Sequence, residues 1–330
     1  MRSRQEWRQA RVIDIAHPTE DVRAVTFAVN GPLSAFDPGS HTNIRVMIHD
    51  APAIRTYTVL PSAPGTLKIA VKLHPNSRGG SAWVWSLNPG DVTEMTTPEN
   101  RFELSWRASH YLLIAGGIGV TPIFGMAPAL ISGGQSVRMI YGGRSQAQLA
   151  FRDELETLLG DDLELFVEEE GRSFDLDAEF SRLPLDAESY VCGPIGLLNA
   201  SKAAWQRAGR PMSRLRFEVF GDSGHYGESA FWVEIPALRK TVEVRPDQSM
   251  LEALLQSGVD MVYDCQRGEC GLCAVGVLDH EAPIDHRDVF FSPAERAQNV
   301  RMCACVSRAP GGTISIDTEP WCTDRLAVVV

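Results

Sequence analysis

The chain has 330 residues, of which 44% are hydrophobic and 22% charged, and a formal net charge of −11 at pH 7. That length accommodates two or three domains with separate cores, and the acidic balance argues against a nucleic-acid partner, which needs a basic surface to neutralise phosphates. The opening "MRSRQEWRQARVIDIAHPTE" is charged throughout and no apolar run approaches about 18 residues, so no secretion signal or membrane span is expected and the protein is expected to be cytoplasmic.

Residues 1–105 read as short strands separated by turns. "VRAVTFAV", "HTNIRVMI", "RTYTVL" and "LKIAVKL" alternate in polarity and are rich in β-branched residues, while "DPGS", "PSAPGT" and "LNPGD" supply turn chemistry. Strands of this length and spacing predict a closed antiparallel barrel. Within it, "RTYTVL" places Arg55 and Tyr57 on one strand face, Arg55 offering a planar fork suited to phosphate. By itself this is as consistent with an ordinary strand tyrosine. Further on, Gly79, Gly80 and Ser81 open a predicted helix, where free amides favour an anion.

The pattern changes near residue 106. "YLLIAGG" is an apolar run ending in glycines, "PIFGMAPALISGG" is helical, "SVRMIYGG" is a second buried strand and "AFRDELETLLG" an amphipathic helix. "LELFVEEE", "SYVCGP" and the helical "IGLLNASKAAWQRAG" continue the alternation, which predicts a parallel doubly wound sheet over 106–222. The turn "LLIAGGIGVTPIFGM" departs from the dinucleotide fingerprint, because Pro122 stands where the last glycine belongs. After the polar stretch "GDSGHYGESA", read as a linker, a third region over 223–330 carries a hairpin, the helical "SMLEALLQSG" and a last strand "TISIDT".

Six of the seven cysteines lie in that last region: Cys265, Cys270, Cys273, Cys303, Cys305 and Cys322, with Cys192 apart from them. A disulfide framework is disfavoured in a reducing compartment, and metal ligation is the better reading. Spacings of five and three residues scatter side chains around a helix, so "CQRGECGLC" suits a loop in which Gly268 and Gly271 let backbone amides approach the sulfurs. Zinc sites use short C-x2-C knuckles in separated pairs, whereas C-x4-C-x2-C with a distant fourth cysteine is the plant-type [2Fe–2S] spacing. The alternative is a chance group of structural thiols.

Over residues 230–330 the chain thus resembles plant-type ferredoxins. The fourth ligand falls on Cys303 by simple counting and on Cys305 by the surrounding text, since "CVSRA" is similar to the segment that the last ligand opens in related reductases. Cys305 is preferred, Cys303 is the runner-up and Cys322 a non-ligand. "RTYT" is similar to the R-x-Y-[ST] motif of the ferredoxin reductase superfamily, "AVKLHPNSRGGSAW" to the FMN segment of phthalate dioxygenase reductase and vanillate demethylase reductase, and "GGIGVTP" with "YVCGP" to the superfamily's nicotinamide signatures.

These resemblances imply an FMN-binding antiparallel β-barrel (1–105), an NAD-binding doubly wound α/β domain (106–222) and a β-grasp ferredoxin domain (223–330). They place Arg55, Thr56, Tyr57, Thr58, Val71, Lys72, Gly79, Gly80, Ser81 and Phe220 around FMN. Gly117, Ile118, Gly119, Arg144, Ser145, Cys192, Gly193 and Pro194 are placed around NADH, and Thr121 and Cys192 at the nicotinamide. The cluster falls to Cys265, Cys270, Cys273 and Cys305. FMN is favoured over FAD because the glycine loop can cradle a terminal phosphate, and NADH over NADPH because of the acidic "VEEE". The implied protein is the reductase component of a two-component Rieske-type oxygenase, needing no acid–base residues of its own and docking transiently on the oxygenase. The competing readings are a reductase serving another oxygenase type and a non-enzymatic iron–sulfur or zinc sensor.

Overall fold

The structure is a computed structural model that describes residues 6–74, 79–220, 226–227 and 229–319. Cys322 and most of the expected linker, residues 221–225 and 228, lie outside the described residues. By their contacts the residues form two compact units, Met1–Val219 and Phe220–Val330.

The first unit begins with an antiparallel sheet of β1 (Trp7–Thr19), β2 (Val22–Val29), β3 (Ser40–Ile48), β4 (Ala51–Thr58), β5 (Thr66–Lys72), β6 (Val92–Thr96) and β7 (Glu99–Asn100), with the helix α1 (Gly80–Ser86) between β5 and β6. The strand order is β4-β3-β6-β1-β2-β5, with β7 on β3. A bridge between Leu60 and Lys68, closed by the Leu60 amide on the Lys68 carbonyl at 2.7 Å, carries the chain leaving β4 onto β5. The alternating residues Val25, Phe27, Ile44, Val46, Leu67 and Ile69 are all buried in one core. The charged opening stretch is itself the long strand β1, which buries only Ala10 and Val12 along its middle. At α1 Gly79 is the N-cap, with φ +87°, and Ser81 lies inside the helix.

The same unit continues with β8 (His110–Gly116), α2 (Val120–Phe124), α3 (Met126–Ser132), β9 (Ser136–Gly143), α4 (Arg152–Leu159), β10 (Leu163–Val167), α5 (Leu176–Arg182), β11 (Glu188–Gly193), α6 (Ile195–Arg207) and β12 (Leu215–Val219). Every pairing is parallel and the order is β10-β9-β8-β11-β12. The order reverses between β8 and β11, and ligands of such sheets bind in the crevice beyond the strand ends at that switch point. Two expectations shift in detail. The helical "PIFGMAPALISGG" is broken into α2 and α3 at Gly125, and β10 ends at Val167, so Glu168–Glu170 form a 3-10 turn rather than strand.

The second unit holds β13 (Phe231–Ile235), β14 (Lys240–Val244), α7 (Met250–Gln256), β15 (Ala274–His280), α8 (Pro293–Ala297), β16 (Arg301–Cys303) and β17 (Thr313–Asp317), in the sheet order β14-β13-β17-β15-β16. β13 and β17 are parallel and the other pairs antiparallel. α7 starts with a capping box in which Ser249 and Glu252 satisfy each other's backbone amides, and it buries Met250, Leu251 and Leu254 in the unit's core. Among the described residues no helix is long and apolar enough to cross a membrane.

Candidate cofactor sites

Two sequence-distant motifs meet at the barrel. The Arg55 side chain on β4 lies against Gly80, so close that a Cβ built there would be 2.8 Å from Arg55 Cγ. Neighbouring Gly79 presses on Ile48, where an added Cβ would fall 2.7 Å from Cγ2. Only glycines let β4, the end of β3 and the start of α1 come this near. Arg55 also donates from Nη1 to the Ile54 carbonyl at 2.9 Å. With seven residues α1 carries little dipole, so among the described residues the Arg55 guanidinium supplies the positive charge of this cradle. Thr56 donates to Asn43 Oδ1 at 2.6 Å, Tyr57 packs half-buried on the barrel core and Thr58 is buried. Val71 is buried at the end of β5, while Lys72 pairs with Asp21 at 2.9 Å. Ser81 is described in α1, and Phe220 is half-buried at the start of the second unit.

The ends of β8 and β11 are packed glycine on glycine. An added Cβ on Gly193 would sit 3.0 Å from Gly116 Cα, and one on Gly119 only 2.3 Å from the Cys192 carbonyl oxygen. Gly117, by contrast, has φ +54° and open space where a side chain would be, so the turn Gly117–Gly119 presents bare backbone at the switch point. Cys192 is fully buried. Thr121 is buried as well, its hydroxyl donating to the Ile118 carbonyl at 3.0 Å. It lines a cavity of about 330 Å³ together with Val59, Pro61 and Pro38, between the start of α2 and the segment that follows β4. Pro194 caps α6. At the end of β9, Arg144 is exposed and its carbonyl accepts the Glu169 amide at 3.1 Å, while Gln146 donates to Glu170 at 3.1 Å. Carboxylates therefore crowd the strand end beside Arg144 and Ser145.

In the second unit, the cysteine loop folds as its spacing requires. Gly268 has φ +74°, and a Cβ there would meet Val306 at 2.7 Å and the Asp288 backbone at 2.9 Å. The amides of Arg267 and Cys270 each donate to Cys265 Sγ at 3.4 Å, and the Gly268 amide points at Cys305. The thiols fall into groups: Cys265 faces Cys270, and Cys273 faces both Cys303 and Cys305. The Cys270 thiol, aided by surrounding amides, holds the Cys265 pKa below the ordinary thiol range despite burial. The Cys303 and Cys305 thiols do the same for Cys273, whereas their own values are pushed up by Cys273 and by burial. Among the described residues no three Cys, His, Asp or Glu side chains converge as they would on a single metal ion. Soft sulfurs at the C-x4-C-x2-C spacing, with two backbone amides donating to Cys265 Sγ, fit a two-iron cluster better than a lone zinc. One participant escaped the sequence reading: Asp288, fully buried, accepts the Phe291 amide at 2.9 Å and the Ser307 hydroxyl at 3.4 Å beneath the loop.

Comparison with known proteins agrees with this architecture. An oxidoreductase FAD-binding domain model matches residues 9–104, an oxidoreductase NAD-binding domain model 113–170 and a 2Fe-2S iron-sulfur cluster binding domain model 234–310. The molecule is thus an NADH-dependent flavin iron–sulfur oxidoreductase. The chain is 34% identical over 316 residues to phenoxybenzoate dioxygenase subunit beta of Ectopseudomonas oleovorans, covering 93% of this chain and 96% of the relative. It is 32% identical over 316 residues to the carnitine monooxygenase reductase subunit of Escherichia coli (strain K12), covering 94% and 98%. The solved structure of phthalate dioxygenase reductase superposes with a TM-score of 0.78 at 27% identity, over 94% of this chain and 98% of that one. The chain belongs to the phthalate dioxygenase reductase family, in which flavin, NAD and [2Fe–2S] domains are joined in one polypeptide.

Proposed function

We propose that this protein is the reductase component of a two-component Rieske-type oxygenase system, passing electrons from NADH to a separate oxygenase on which it docks transiently in the cytoplasm. The observation that carries the reading is the cysteine loop, in which Cys265 faces Cys270 and Cys273 faces Cys303 and Cys305, in a chain that also holds a flavin cradle and a nicotinamide turn. Relatives matched nearly end to end are named as oxygenase subunits. Flavin, when bound, takes two electrons from NADH as a hydride and releases them singly to a low-potential [2Fe–2S] cluster.

The protein's own residues bind and orient. Arg55 and the Gly79–Gly80 backbone would hold the flavin phosphate, Tyr57 would lie against the ring with Thr56, Thr58, Val71, Lys72 and Ser81 around it, and Phe220 would cover it. FMN is favoured, because Arg55 beside Gly80 makes a cradle for a terminal phosphate. Gly117, Ile118 and Gly119 border the pyrophosphate, Thr121, Cys192, Gly193 and Pro194 the nicotinamide, and Arg144 and Ser145 the adenosine ribose. The carboxylates of Glu168–Glu170 beside that ribose disfavour a 2′-phosphate, which supports NADH. Cys305 would be the fourth ligand in preference to Cys303, because "CVSRA" is similar to the segment that the last ligand opens in related reductases.

The test is a spectrum of the purified protein. Flavin bands together with [2Fe–2S] absorption, both bleached by NADH far more readily than by NADPH, are expected, and the released flavin should have the mass of FMN. Absence of either chromophore, or a cluster that NADH leaves oxidised, would sink the reading.

A further inference from the structure

Cys303 is left without a part once Cys305 is taken as the fourth ligand, yet its position is tightly specified. It is the last residue of β16, paired in register with Ala274 on β15, the residue next to Cys273. The Ala304 amide donates to the Cys273 carbonyl at 3.1 Å, and the Cys303 carbonyl accepts the amides of Val306 and Ser307 at 3.3 and 3.0 Å, closing the turn that carries Cys305. With 0% exposure and strand pairing on one side and this turn on the other, the side chain has no room to leave the core. It faces Cys273 Sγ, and the buried Asp288 carboxylate is a second negative neighbour. A cysteine that ligates no metal carries one weak S–H donor.

We infer that Cys303 is a positioning residue that donates its S–H to the ligand sulfur of Cys273 and thereby sets the reduction potential of the cluster. A hydrogen bond onto a ligand sulfur stabilises the reduced cluster, which carries one more negative charge, and so raises the potential. This rests on the reading of Cys305 as the ligand. The geometry explains why two cysteines stand one residue apart: Cys305, in the turn, reaches the loop, and Cys303, in the strand, backs the partner sulfur.

The experiment is an equilibrium redox titration of the full holoprotein, with the cluster followed by its paramagnetic resonance signal when reduced. Cys303→Val fills the space without a donor, and Cys303→Ser retains a donor. The valine variant is expected to keep the cluster and to show a midpoint shifted to more negative potential, with the serine variant lying closer to the unaltered protein. A valine variant whose midpoint is unchanged overturns the inference. So does loss of the cluster in Cys303→Val while Cys305→Ser keeps it, which would make Cys303 the ligand. An unaltered protein with no [2Fe–2S] signal would instead strike the proposed function.

Discussion

At the scale of single residues, the site depends on side chains that are absent as much as on those present. Gly119 adopts an ordinary helical φ of −60°, so no backbone strain demands glycine there; the Cys192 carbonyl, in the path of any Cβ, does. Gly119→Ala should therefore push the turn away from β11, at a cost of about 1–3 kcal/mol for overpacking. It should raise the KM for NADH while leaving the flavin content of the purified protein unchanged. An unaltered KM, read from steady-state reduction of an artificial acceptor, would show that the turn can shift freely. The motif glycines were legible in the sequence because their neighbours in the chain announced a strand–turn–helix. The pressure of Ile48 on Gly79, and of Arg55 on Gly80, was not, since those partners are joined only by the folded barrel. Asp288 was missed for the same reason: its burial and its Phe291 and Ser307 partners exist only once the cysteine loop has closed over it.

At the scale of elements, the strands with bulky alternating residues were plain in the sequence and those with small ones were not. β1 is the clearest case. Its buried residues are the small Ala10 and Val12, set among exposed Gln9, Arg11 and Ile13, so it reads as a charged segment although it pairs with both β2 and β6. β6, β16 and α8 are similarly short or weakly patterned. The pair Asp21–Lys72 ties the turn after β1 to the end of β5. Burial opposes ionisation of Asp21, but hydrogen bonds from Lys72 and Thr19 outweigh it, and the pKa falls below the ordinary 3.8. A carboxylate depressed in the folded state stabilises fully above its unfolded pKa, and the contribution is lost as pH falls through the folded value. Asp21→Asn should thus cost about 0.5–1 kcal/mol at neutral pH, as befits a partly exposed pair. That deficit should shrink toward zero as pH falls below about 4 and through the lower folded value, where the Asp21 carboxylate of the unaltered protein is protonated as well. Denaturant midpoints of the two proteins at neutral and acid pH provide the measurement.

At the scale of the whole molecule, the three sheets and their order follow from the alternation of strands and helices, whereas the union of the first two into one unit does not. That union depends on the segment joining them. The Ser105 amide donates to Tyr190 Oη at 2.6 Å, its hydroxyl to Glu188 at 3.1 Å, and its carbonyl accepts from Tyr111 at 2.9 Å. Tyr111, Tyr190 and Glu188 are all buried, and nothing in "FELSWRAS" advertises three partners on distant strands. Two units with separate cores should unfold in two calorimetric transitions, so a single Tm would not describe the protein. Removal of iron by a chelator is expected to lower one transition and leave the other in place, because a bound metal stabilises only the unit that holds it. One merged transition, shifting as a whole, would show the units to be energetically coupled.

The parallel pairing of β13 with β17 carries a mechanical consequence. Among the described residues these are the first and last strands of the second unit, and they share the register Trp232–Thr313, Val233–Ile314 and Glu234–Ser315. Because they run the same way, the chain enters at one pole of the sheet and leaves at the other, about 17 Å away for a five-residue strand. Tension between entry and exit would slide the two strands past each other and stretch every bond of the ladder at once, rather than peel them open from one end. The unit that holds the cluster is therefore braced along the direction in which its own backbone would pull it.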